Sequence, residues 1–127
     1  MTETNGHTQL TVEQMLAKAE RPTLNEPFRG GTINLRGLFE TEKVDLYESW
    51  FIDKKLNLID SRRKYMRTKM IALCIYDDDP ETALLPANAH KTILDNWTAG
   101  EVGQVYKALE ELNGENEDID EKETEKN

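Results

Sequence analysis

Apolar side chains recur along this chain with two different periods, and the places where the period changes divide it into elements. Thr11 stands three residues before Gln14, the spacing of a reciprocal helix cap, and Val12, Met15, Leu16 and Ala19 fall on one face, which predicts a short first helix. Pro22, Pro27 and the Gly30-Gly31 pair then interrupt any periodicity, so residues 21–31 read as a linker-like loop. In GTINLRGLF the period falls to two: Ile33, Leu35 and Leu38 alternate with Thr32, Asn34 and Arg36, the signature of a short extended or β segment near residues 31–36.

From Thr41 the helical period takes over. Val44, Tyr47 and Phe51 recur at i, i+3, i+7 with Leu46 and Trp50 beside them, predicting a helix over residues 41–55. The stretch NLIDSRRKYMRTKMIALCIYDDD carries Ile59, Met66, Met70, Leu73 and Cys74 along one stripe, with its basic residues largely elsewhere, and is expected to form the longest helix. Residues 77–80, three aspartates and a proline, are expected to end it. PANAHKTILDNW predicts a short helix with Pro86 in its first turn and Ile93, Leu94 and Trp97 on its apolar side. Thr98 and Glu101 repeat the capping spacing, and Val102, Val105, Tyr106, Leu109 and Leu112 mark an amphipathic final helix. The pattern as a whole predicts a mainly α fold: one helical domain of four to five helices over residues 11–113, flanked by a flexible segment 1–10 and a disordered acidic segment 114–127.

Charge changes this picture in two places. The chain has 16 basic and 25 acidic residues, a net charge of −9. Seven acidic residues and two lysines fall within 114–127, so that segment holds −5 and the other 113 residues only −4. A field of this sign repels phosphate, so nucleic acid and anionic membranes are not expected partners of the whole molecule. Against that background SRRKYMRTK, reinforced by Lys54 and Lys55, is a local basic run, with Tyr65 able to stack on a base. Its interleaving with Met66 and Met70 fits the solvated or protein-facing side of a core helix better. No window is long and apolar enough to span a bilayer, and the start of the chain lacks the pattern of a secretory leader, so a cytoplasmic protein is expected.

Candidate chemistry is sparse. The 77–79 aspartates lack the spaced ligands and turn glycine of a calcium loop, His7 and His90 have no ligand partner at helical spacing, and Gly30-Gly31 lacks the G-K-[ST] of a phosphate loop. Cys74, the single cysteine, sits on an apolar stripe and reads as a buried structural thiol, and Ser49 and Ser61 lie in no nucleophile motif. No catalytic residue, metal or cofactor is expected. Trp50 and Trp97 are either core or interface anchors.

The series INLRGLFETEKVDLYESWFIDK, then SRRKYMRTKMIALCIYDDD, then the short helix ending at Trp97, then VYKALEELNG before an acidic segment, resembles the tail assembly chaperones of long-tailed bacteriophages from about Phe28 onward. The resemblance implies a small, mostly helical protein of the infected bacterial cytoplasm that coats the tape measure protein, keeps it soluble, recruits tail-tube subunits and is absent from the mature virion. It also implies a longer product made by ribosomal frameshift; Glu125-Lys126-Asn127 is compatible with the slippery codons GAA AAA AAC. For that role the expected partner-binding residues are Trp50, Arg62, Arg63, Met66, Arg67, Met70 and Trp97, with Met15, Met66 and Met70 giving adaptable apolar surface. The −5 segment is expected to keep complexes dispersed, and self-association is a further expectation. Two rivals are a nucleic-acid-binding regulator using residues 62–69 and a structural head-to-tail connector.

Overall fold

The computed structural model describes residues 8–114. The expectations for His7, for most of segment 1–10 and for residues 115–127 lie outside them. Among the described residues the elements run α1 (Val12–Leu16), β1 (Thr23–Phe28), β2 (Gly31–Arg36), α2 (Glu40–Leu46), α3 (Met66–Cys74), β3 (Ile75–Tyr76), α4 (Ala89–Asn96) and α5 (Ala99–Leu112). Five helices and a three-stranded antiparallel sheet ordered β1-β2-β3 therefore replace the mainly α fold expected from the pattern.

The linker-like loop is the first correction. Residues 23–28 pair with 31–36 in register from Thr23↔Arg36 to Phe28↔Gly31, so Arg29 and Gly30 form a two-residue hairpin turn. Both have positive φ, 51° and 79°, the combination that matches the twist of the flanking strands. Arg29 holds a conformation usually left to Asn or Gly, which is why the turn is hard to see in the sequence. Pro27 is accommodated because β1 is the edge strand.

The second correction concerns the long helix. Residues Asp60–Tyr65 form a tighter helical turn with three residues per turn, α3 proper spans nine residues, and Ile75 and Tyr76 leave it to pair with Leu35 and Asn34 of β2. A β-branched and an aromatic residue favour a strand once a neighbouring strand is present. Arg36 closes α3: its Nε and Nη2 donate to the Leu73 carbonyl at 3.1 and 2.9 Å, and Nη1 donates to the Pro80 carbonyl at 2.9 Å. The helix thus ends on a buried guanidinium before the aspartates are reached. Asp79 instead organises the following turn, accepting from Glu81 N at 2.9 Å and Thr82 Oγ1 at 3.2 Å. Leu84 N donates to the Ile75 carbonyl at 2.9 Å and covers the free side of β3.

The predicted helix over 41–55 is shorter. After Leu46 it widens over Tyr47–Phe51, where Ile52 N reaches back five residues to the Tyr47 carbonyl at 2.9 Å, and Asp53 then gathers the amides of Lys55 and Asn57 into a turn. In α5, by contrast, the Thr98–Glu101 cap is present in both directions. The core lies where β2, α3 and α5 meet: Leu35, Phe51, Ile71, Cys74, Val105 and Leu109 are fully or almost fully buried. Burying side chains of this size contributes roughly 1.5–3 kcal/mol each.

Candidate interaction groove and its neighbouring aromatic cluster

Residue by residue, the seven expected partner-binding positions separate into three places. Met70 is in the core, at 7% exposure. Trp50 and Arg62 belong to an aromatic cluster, and Arg63, Met66, Arg67 and Trp97 converge on an open groove of about 450 Å³.

The groove forms because α4 and α5 meet at a sharp corner. Trp97 ends α4 with its amide on the Ile93 carbonyl at 3.0 Å, and Thr98 caps α5, so Leu94 of the last turn and Val102 of the first turn flank the same space. Opposite them stand residues 63–68, from the tight turn and the start of α3. Met66, Leu94, Trp97 and Val102 make an apolar floor; Arg63, Lys64 and Arg67 make a basic rim. The positive end of the α5 dipole, at Ala99, opens on the same side. Thr68 lines the groove with a buried hydroxyl that has no hydrogen-bond partner among the described residues.

The position of Trp97 is fixed from behind. Its ring packs on Phe28 at 4.6 Å between centroids, and the Arg29 guanidinium lies over both rings, at 5.0 Å from Phe28 and 5.9 Å from Trp97. Arg29 then pairs with Glu101 through two hydrogen bonds of 2.7 and 2.8 Å, joining the hairpin tip to the first turn of α5. These bonds and the Thr98 amide hold the Glu101 carboxyl at about 2. Gln104 adds bonds of 2.8 Å to Glu26 Oε2 and the Pro27 carbonyl. On the rim, Arg67 lies 5.7 Å from the Tyr106 ring centre, and among the described residues neither Arg63, Lys64 nor Arg67 forms an ion pair with a carboxylate.

The aromatic cluster is built differently. Trp50 meets Phe51, Tyr65 and His90 edge-on at 4.9, 5.9 and 5.1 Å, and His90 meets Tyr65 at 4.9 Å. Arg62 donates to the Trp50 carbonyl at 2.8 Å and lies 5.0 Å from its ring centre, while Lys69 sits 4.9 Å from the same ring and donates to the Ala87 carbonyl at 3.2 Å. Both ring nitrogens of His90 are buried without a well-aligned partner among the described residues. Burial, then the Lys69 charge, lowers its pKa, and a glancing approach to the Ala87 backbone opposes them only in part. Lys69 is lowered too, first by burial and then by Arg62. This cluster is a structural joint between α4 and the 47–65 segment.

Lys64, Leu94, Val102 and Thr68 were not expected at the site. Helical period assigns Leu94 and Val102 to the core, and only the corner marked by Thr98 turns them toward one opening. Cys74 is buried in the core, where desolvation pushes its thiol up to about 12. The described residues include no group of His, Cys, Asp and Glu able to hold a metal ion, and no described helix is long and apolar enough to cross a membrane. Comparison of the chain with protein-family models, curated proteins and solved structures gives no match.

Proposed function

We propose that this chain is a tail assembly chaperone of a long-tailed bacteriophage, holding the tape measure protein through the groove of Arg63, Met66, Arg67 and Trp97. The observation that carries the reading is the groove itself: an adaptable apolar floor that includes Met66, and a rim of cations without a carboxylate partner among the described residues. An amphipathic helical client offers apolar side chains to such a floor and carboxylates to such a rim. The mainly helical fold expected with this role is not retained; the reading rests on the groove and on the order of motifs along the chain. In this role the protein acts in the infected bacterial cytoplasm, presents its client to tail-tube subunits and is left out of the virion.

Co-expression with the tape measure protein, followed by pull-down and a solubility assay at two salt concentrations, tests it. A soluble complex that is lost on Met66→Asp supports the reading. An insoluble, unbound tape measure protein overturns it, as does recovery of the chain in purified virions at a fixed copy number, which is the connector outcome. Binding of nucleic acid with a steep salt dependence points to the regulator instead.

A further inference from the structure

Two features are each left incomplete by the fold, and they complement one another. The first is α1. Its cap is formed in both directions, with Gln14 N on Thr11 Oγ1 at 3.1 Å and Thr11 N on Gln14 Oε1 at 2.8 Å, yet none of its residues is buried. Leu10, Val12, Met15 and Leu16 are 54, 66, 57 and 80% exposed. A five-residue helix is too short to be stable in water by itself, so a face this apolar calls for a cover. The second feature is the groove, with its uncovered apolar floor and its cationic rim. We infer that, before any client is bound, the groove receives the N-terminal arm, residues 10–16, of a second copy of this chain, with Glu13 set against Arg63, Lys64 and Arg67, and that a client held in the groove takes the arm's place.

Charge and placement both favour this occupant. Glu13 is the only charged residue in 10–16, so the arm brings one carboxylate to three cations that have none among the described residues. The arm of the same chain is not in this groove: none of residues 10–16 lines it, and Lys18, two residues after the arm, lies 4.9 Å from the Phe39 ring centre. Pro22 is fixed beside Gly37, whose amide donates to the Pro22 carbonyl at 2.8 Å, and Asn113 at the end of α5 binds the next amide, Leu38 N, at 2.7 Å. The groove lies at the other end of α5, 14 residues and about 21 Å away from Asn113. The arm of the same chain is thus rooted at the opposite end of α5 from the groove. Because arm and groove are different surfaces, each copy donates one and accepts one, so the contact generates open chains or closed rings.

Sedimentation velocity on the full chain over a wide concentration range tests this without any client; a monomeric protein that still binds tape measure protein therefore sinks this inference and leaves the chaperone reading standing. The expected result is a mass that rises with concentration to at least twice the 14.6 kDa of one chain. Leu16→Asp in the arm, or Arg63→Glu with Arg67→Glu on the rim, leaves a monomer with an unchanged circular dichroism spectrum, since all three side chains are exposed. Mixing the two variants restores one intact arm and one intact groove, so mass returns and stops at two chains. Adding Glu13→Arg to the rim double variant restores association. A single 14.6 kDa species at every concentration overturns the proposal, as does association that survives Leu16→Asp. Association abolished by removing residues 115–127 but indifferent to the arm also overturns it, and assigns the groove to the acidic segment.

Discussion

The arginines on the two sides of this molecule have opposite surroundings. Beside the sheet, Arg21 donates to Glu81 at 2.8 Å twice, to Glu42 at 2.8 and 2.9 Å and to the Gly37 carbonyl at 2.8 Å, and Arg36 is occupied by two carbonyls. Across the fold, Arg63 and Arg67 face an open groove with no carboxylate among the described residues. The first pair is tied to structure, because the fold brings it acceptors from the residue after β2, from α2, from the end of α3 and from the turn after β3. The second pair is available for binding, because the same fold places apolar residues around it. A basic residue's duty is therefore set by which acceptors the topology delivers to it.

That contrast predicts a gradient of effects. The largest belongs to Arg36→Met, which removes the buried guanidinium that serves the part-buried Leu73 and Pro80 carbonyls and is expected to cost about 3 kcal/mol in urea unfolding. An unchanged midpoint would remove Arg36 from the account of why α3 ends where it does. Next is Gly37→Ala. A Cβ there would lie 2.5 Å from Pro22 Cγ and 3.2 Å from Asn113 Oδ1, so a loss of about 2 kcal/mol is expected from overpacking at the joint that anchors the arm.

The pH dependence comes third, in two windows. His90 has a lowered pKa in the folded protein, so its contribution is present above its ordinary value near 6.5 and is lost as pH falls below it; His90→Phe should flatten that limb of the melting temperature. Glu42, Glu81 and Glu101 are also lowered, by Arg21, Arg21 and Arg29 respectively, so their contribution is present above the ordinary carboxylate range and is lost as pH falls through it, toward about 2 for Glu101. Arg21→Met and Arg29→Gln should each flatten this acid limb, and a limb that stays equally steep in both would rule out these pairs as its origin. The smallest effect on stability is expected from Arg63→Ala with Arg67→Ala, within about 0.5 kcal/mol by thermal melting. A larger loss would mean that the rim is structural after all and would erase the contrast.

The same contrast explains what could be read from the sequence. The last helix was legible because its signals are local: Thr98 and Glu101 cap each other, and Val102, Val105 and Leu109 repeat within one element. The hairpin was not, since its turn rests on Arg29 at positive φ and on Pro27 tolerated at an edge, and in a single sequence both read as breakers. Ile75 and Tyr76 continue a helical stripe on paper; they become β3 only because β2 lies alongside. Arg63, Met66, Arg67 and Trp97 were nominated by type and fell together at the groove. Met70 was nominated by the same reasoning and is core, because residue type does not reveal which way a nine-residue helix faces.

The edges of the sheet have a consequence for crowding. On β1, Pro27 lies opposite Thr32, one residue from the pair that closes the hairpin, so its nitrogen falls on the outward side, where any other residue would offer a donor. On β3, the Ile75 carbonyl is already taken by Leu84. A stray extended chain therefore finds an interrupted ladder on one side and an occupied one on the other. Copies crowded side by side are thereby protected from zipping into amyloid-like ribbons, and contacts between them are left to side chains, which come apart more readily than a continuous backbone ladder.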